Sequence, residues 1–174
     1  MKKLAVALAV VVSGFVNGQI LIRDYGDSLM SAISYPFHSN NTIEYYLMFY
    51  INEERAAIGL PALKADTLLQ QMARKHSKWM CQTGYYVHSG DLKCPTWKQH
   101  RIVNYAECCM MYSSIEILTH KVMAKHAVGA WMHSESHYKQ IMNPNFTIFG
   151  AGYEQRVNRL DTHQLLEYYT VMVK

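Results

Sequence analysis

Three times along this chain a capping residue is followed three positions later by Glu or Gln, and then by apolar residues at helical spacing. In that pattern the cap side chain and the acid or amide each satisfy a backbone N–H that a helix start leaves unpaired, so it marks where helices begin. The first case, Asn41-Thr42-Ile43-Glu44, leads into Ile43, Leu47, Tyr50, Ile51 and Ala57 and stops at Gly59, before Pro61. The second, Thr67-Leu68-Leu69-Gln70, carries a stripe of Leu69, Met72, Ala73, His76 and Met80 that ends at Gly84. The third, Ser113-Ser114-Ile115-Glu116, precedes Ile115, Leu118, Val122, Ala127 and Trp131. Ser134 caps a short fourth helix, closed by Pro144.

The pattern then changes period. Phe146, Ile148 and Gly150 alternate with Thr147 and Phe149, and Leu165 to Val173 forms a second extended run, with Asn158 to Asp161 turning between them. Helices first and an antiparallel hairpin last define an α+β class. From Tyr85 to Met111 no period holds, and Gly90, Asp91 and Pro95 mark this stretch as a long ordered loop of the kind that is functional or crosslinked.

Met1-Lys2-Lys3, followed by the apolar run from Leu4 to Val12 and by Val16-Asn17-Gly18, reads as a secretory signal peptide over residues 1–18. Ser13, Gly14 and Asn17 interrupt the run at about half the roughly 20 residues a membrane span needs, so the expectation is an exported protein without a transmembrane segment in its mature chain. Residues 19–41 read as an arm, ending in Pro36-Phe37-His38-Ser39-Asn40, and residues 42–174 as one domain. Half the chain is apolar, which excludes disorder. Without Lys2 and Lys3 the formal charge falls from +4 to +2, too little to argue for a nucleic-acid partner.

Cys81, Cys94, Cys108 and Cys109 all lie in the exported part. Neighbours Cys108 and Cys109 would form a strained ring if joined to each other, so a disulfide from one of them back to Cys81 or Cys94 is expected, without a choice of partner. Cysteine-bound zinc is the alternative, though the paired C-x-x-C spacing of such sites is absent.

Nine histidines invite metal or acid–base chemistry. His76 falls on the apolar stripe of the second helix and reads as a satisfied core residue. His38, His100, His120 and His163 have no partner at chelating spacing. His133 and His137 are four apart, a metal-binding pair on a continuous helix but not if Ser134 breaks it. His88 sits in a turn before Ser89-Gly90, and Glu107 sits in Tyr105-Ala106-Glu107-Cys108-Cys109 with no charged neighbour. A carboxylate in so apolar a stretch requires a cation, a histidine or a metal as partner.

The runs from Asn52 to Met80, Gly84 to Gly90, Tyr105 to Cys109, Ala127 to Glu154 and Tyr168 to Lys174, taken together and in order, resemble the CAP superfamily of cysteine-rich secretory, antigen 5 and pathogenesis-related-1 proteins, in its short bacterial form. The resemblance implies a three-layer α-β-α sandwich with a central antiparallel sheet and a cleft of histidines and glutamates that holds zinc or another divalent cation in some relatives. His88 matches the family's first histidine, Glu107 the glutamate of its Gly-Glu-Asn motif, and His137 the histidine of the bacterial Ser-Pro-Gly-His pattern. Two positions depart: Ser134 stands where many relatives carry a second glutamate, and Tyr168 where they carry a second histidine. The expected metal set is therefore His88, Glu107 and His137, with Glu135 and Tyr168 as candidate replacements for the missing members.

No H-e-x-x-H or nucleophile-elbow motif is present, so the expected function is an extracellular or periplasmic binding module for a lipid, a peptide or a cell-wall component. The alternatives are a metal-dependent, peptidase-like hydrolase and a structural envelope protein with a relic site. Thirteen tyrosines favour binding, because each offers flat apolar area with a polar tip.

Overall fold

The computed structural model describes residues 15–16, 19–20, 42–89, 104–115, 118–161 and 163–174. The chain divides into two compact units, 1–34 and 35–174. In the first, β1 (Phe15–Val16) pairs antiparallel with β2 (Gln19–Ile20). The rest of the signal peptide and arm lies outside the described residues, as does Cys94.

The second unit contains α1 (Thr42–Ala57), β3 (Lys64–Ala65), α2 (Thr67–Thr83), β4 (Ala106–Ser114), α3 (His120–Met132), α4 (Glu135–Ile141), β5 (Ile148–Val157) and β6 (Leu165–Val173). The sheet runs β3-β5-β6-β4, antiparallel except for the short parallel pairing of β3 with β5. Register assigns its faces, because directly paired residues share a face. Glu107 pairs with Met172 and Met172 with Gly150; Cys109 pairs with Thr170 and Thr170 with Gly152. A Cβ added to Gly150 would lie 2.2 Å from the Gln70 nitrogen, and one at Gly152 2.3 Å from the carbonyl carbon of Ala73. Both glycines therefore mark where α2 lies directly on the sheet, and Glu107 and Cys109 share that face. The alternate residues, Cys108 among them, face the layer in which α1 packs on α3, α3 on α4 and α4 on β4. The result is the expected three-layer α-β-α sandwich.

Local chemistry explains where the elements start and stop. Asp66, not Thr67, caps α2 by accepting from the Leu69 N–H at 2.8 Å, and Gly84 closes it in the left-handed conformation with its N–H donating to the Met80 carbonyl. Glu44 in the first turn of α1 is buried, and its carboxylate accepts from Gln70 at 2.5 Å and from Arg74 at 2.7 Å; the cap position Asn41 lies outside the described residues. The third capping pattern is also corrected. Ser113 and Ser114 end β4, and α3 begins six residues later under Thr119, whose hydroxyl accepts from Val122 N–H. The expected loop from Tyr85 to Met111 thus contains most of a nine-residue strand. Its alternation is hidden because the first half of β4 is covered on both faces.

Arg55, fully buried at the end of α1, ties the helix to the chain following α4. Its guanidinium donates to the carbonyls of Pro61, Ile141, Asn143 and Phe146 at 2.7–3.1 Å. Those bonds hold the α4 end of the domain in place. No disulfide joins the described cysteines: Cys81, Cys108 and Cys109 are buried free thiols, so the expected link of a neighbour to Cys81 is not made. Among the described residues no helix is long and apolar enough to cross a membrane.

Candidate functional site

β4 is the edge of the sheet, and two elements close over its outer side. The Cys109 carbonyl accepts from the Tyr86 hydroxyl at 2.9 Å and from the Trp131 indole N–H at 3.4 Å. Tyr86 belongs to the turn that follows α2 and Trp131 to α3, so one edge carbonyl pins both. This brings the residues after α2, which carry His88, alongside Glu107.

Glu107 is the centre of the arrangement. Its side chain is 6% exposed, whereas that of His88 is 62% exposed. One carboxylate oxygen, Oε1, takes His88 Nδ1 at 3.0 Å, the Ser89 backbone N–H at 2.8 Å and the Cys109 thiol at 3.3 Å. The other, Oε2, is buried without any hydrogen-bond partner. Burial pushes the Glu107 carboxyl up, but the His88 hydrogen bond, the nearby His76 and the donors of Ser89 outweigh it and hold the group below its ordinary range. An ionised carboxylate with one saturated and one empty oxygen is a place where water or a cation belongs.

The tautomer of His88 follows from these contacts. A carboxylate can only accept, so His88 Nδ1 carries a proton, and in the neutral ring Nε2 is the lone-pair nitrogen. The hydrogen bond to Glu107 raises the His88 pKa against the effect of burial. His137, near the start of α4, has its Nδ1 2.9 Å from the Ser134 hydroxyl. Burial, then the proximity of His88, lowers the His137 pKa, so the two rings share one electrostatic neighbourhood and His137 is held neutral. Imidazole nitrogens and a carboxylate oxygen are ligands of the type zinc takes, although the described group whose ligand atoms lie within 4.8 Å of one another is His76, Glu107 and Cys109 and does not include His88 or His137. Orientation of a ligating histidine by a carboxylate at its other nitrogen is a recurrent feature of such centres. The residues present therefore fit a cation.

Of the other candidates, His133 is separated from His137 by the break at Ser134. It caps α3, with Nδ1 2.7 Å from the Gly129 carbonyl, so the pair does not share a helix face. Glu135 is 82% exposed and bonds Lys139 at 2.5 Å, and Tyr168 is buried with its hydroxyl accepting from Arg156. Neither supplies a missing site member. His120 is largely removed from solvent, its pKa lowered by burial, and lies edge-on to Tyr153.

Sequence reasoning undervalued His76. Its ring is completely buried, with Nε2 2.9 Å from the Val87 carbonyl and 3.8 Å from Glu107 Oε1. Ligand atoms of His76, Glu107 and Cys109 lie within 4.8 Å of one another, a further possible metal-holding group. As arranged, the Nε2 proton faces a carbonyl, and burial raises the Cys109 thiol well above its ordinary value. The thiol would have to lose its proton, and His76 would have to give up its bond to Val87, before Nε2 and the sulfur could ligate. The apolar stripe correctly signalled burial, but nothing in the spacing of His76 signalled the proximity of Glu107.

The profile of the Cysteine-rich secretory protein family, CAP, matches residues 48–173. An uncharacterised protein of Bacillus subtilis strain 168, YkwD, is 33% identical over 103 residues; the match covers 59% of this chain but only 38% of that protein. The solved structure of an extracellular protein containing an SCP domain from Bacillus anthracis aligns with a TM-score of 0.54 at 21% identity, over 80% of this chain and 44% of that one. A crystal structure of NaASP2 with Zn2+ aligns with a TM-score of 0.54 at 13% identity, over 74% and 77% of the two chains. At such identities the structural matches speak for the fold.

Proposed function

The chain belongs to the cysteine-rich secretory protein (CAP) family, and from that premise we propose that it is an exported binding module whose cleft holds a divalent cation at His88 and His137, with Glu107 behind them. The observation that carries the proposal is the exposed His88 ring held at Nδ1 by the buried carboxylate of Glu107, whose other oxygen has no hydrogen-bond partner. Zinc is the leading candidate for a donor set of two imidazoles and a carboxylate. Once bound, the ion would supply a Lewis-acidic anchor for a carbonyl or anionic group of an extracellular ligand, whether lipid, peptide or cell-wall component.

Export is supported by the leader-like residues 1–18 and by the extracellular setting of the Bacillus anthracis relative. Binding is preferred to hydrolysis because Glu107 already accepts three donors through Oε1 and orients His88, and among the described residues no second carboxylate stands beside it to act as a base. The test is the metal content of the full chain purified without chelator or affinity-tag metal, beside a His88→Ala, His137→Ala double variant. About one equivalent in the parent and none in the variant is expected. Equal content in the two would move the site elsewhere, and none in either would remove the metal from the proposal.

A further inference from the structure

The residue just before His88, Val87, is held from beneath. Its carbonyl accepts from His76 Nε2–H at 2.9 Å, across the gap between the turn and α2. The His76 ring has no solvent exposure and stacks on Trp79 with centroids 6.1 Å apart and planes 11° from parallel. The following residue on α2 is anchored too, because the Ser77 hydroxyl donates to Thr170 of β6 at 2.9 Å. The ring thus stands on a fixed base, and its one proton aimed at the site is committed to the peptide that carries His88.

We propose that His76 is a positioning residue for the His88–Glu107 pair: by holding the Val87 carbonyl it fixes the His88 end of the His88–Glu107 hydrogen bond, 3.8 Å from Glu107 Oε1, without itself ligating a cation. The inference rests on the metal reading above for its consequence, cation affinity, but not for its geometry. It accounts for a histidine in the hydrophobic layer, where an apolar residue would pack without loss unless the N–H were needed. It also separates two donor sets that share Glu107. In one, His76 and Cys109 ligate beside Glu107; in the other, His88 and His137 ligate and His76 acts only through the turn. The Nε2 proton facing Val87 selects the second.

The test uses the full chain, cobalt(II) as an optical probe, and amide exchange at Ser89, whose N–H donates to Glu107. His76→Leu removes the donor and keeps the bulk, whereas His76→Gln carries an amide N–H that can reach the same carbonyl. The Leu variant is expected to bind cobalt roughly 10–100-fold more weakly and to lose protection at the Ser89 amide in the metal-free protein, while the Gln variant recovers most of both. If the Leu variant does not fold, His76→Asn, whose amide is too short to reach Val87, takes its place. Parent-like affinity and protection in the Leu variant, or a Gln variant as impaired as Leu, would overturn the proposal. So would a thiolate-to-cobalt charge-transfer band in the parent, which would show Cys109 ligating. Failure of the parent to take up cobalt would sink the metal reading alone. The exchange measurement would then decide the positioning role by itself, with loss of Ser89 protection in Leu upholding it and unchanged protection overturning it.

Discussion

Two buried glutamates sit on adjacent strands of one sheet and face opposite layers. Glu107 of β4 lies on the α2 face, whereas Glu167 of β6, paired with Tyr112 and Gln155, lies on the face toward α1 and α3. Glu167 has both oxygens occupied: Oε1 accepts from Ser114 at 3.1 Å and Oε2 from the Tyr169 hydroxyl. Burial raises its pKa, and the two hydroxyl donors only partly offset that rise. Glu107 concentrates its donors on Oε1, leaves Oε2 empty, and has a lowered pKa. Burial alone therefore does not mark a functional acid. A carboxylate whose hydrogen bonding closes on itself joins parts of the fold; one kept charged with an oxygen unspent can accept something from outside.

The comparison breaks most visibly in cation binding. Glu107→Gln should weaken zinc affinity roughly 10–100-fold by calorimetric titration, while Glu167→Gln leaves it within error of the parent. Equal losses in the two would show that the sheet, not the empty oxygen, governs the site. Stability should fall on loss of either acid. Glu167→Ala removes the acceptor of the Tyr169 hydroxyl and of the Ser114 bond and should cost about 2–3 kcal/mol in denaturant unfolding. For the metal-free protein Glu107→Ala takes the acceptor from His88, the Ser89 N–H and the Cys109 thiol and should also cost about 2–3 kcal/mol, so cation binding and not stability separates the two acids.

Much of this contrast is legible in the amino-acid sequence, and the failures have causes. Leu165–Val173 reads as a strand with the limits it has, and Gly84 ends α2 where expected, because both depend on local chemistry. β4 is hidden because Ala106, Cys108 and Cys109 are all buried, so its first half lacks the alternation of a half-exposed strand. The Ser113-Ser114-Ile115-Glu116 pattern fails because Ser114 is engaged by Glu167, a residue 53 positions away that no local signal can supply. His88 and Glu107, identified through family resemblance, are hydrogen-bonded in the fold, and the His88 charge reaches His137. The neighbourhood of His76 and Glu107 depends on α2 crossing β5 at Gly150 and Gly152, a tertiary fact visible only in the packing.

Two smaller effects sharpen the same comparison. A group whose folded pKa is raised contributes stability that is present below its unfolded pKa and lost as pH rises through the folded value. For Glu167 the loss should begin near its ordinary 4.5 and proceed upward. The stability of the parent relative to Glu167→Gln should therefore decline as pH is raised, measured by denaturant titration at a series of pH values; a rising difference would mean that the acid is stabilised as the anion. The smallest effect concerns the thiols. Burial pushes Cys81 and Cys109 above the ordinary thiol range and Cys108 up to about 12, so all three should resist alkylation in the native state and react on unfolding. Mass spectrometry after a short iodoacetamide pulse reads this directly, and rapid native labelling of Cys109 would mean that the β4 edge opens.

The most direct test of the central claim is zinc X-ray absorption on the metal-loaded full chain. Ligation by His88 and His137 with Glu107 behind them predicts a shell of nitrogen and oxygen at about 2.0–2.2 Å with imidazole outer scattering and no sulfur. A sulfur contribution near about 2.3 Å would place the ion on Cys109 instead and contradict the account.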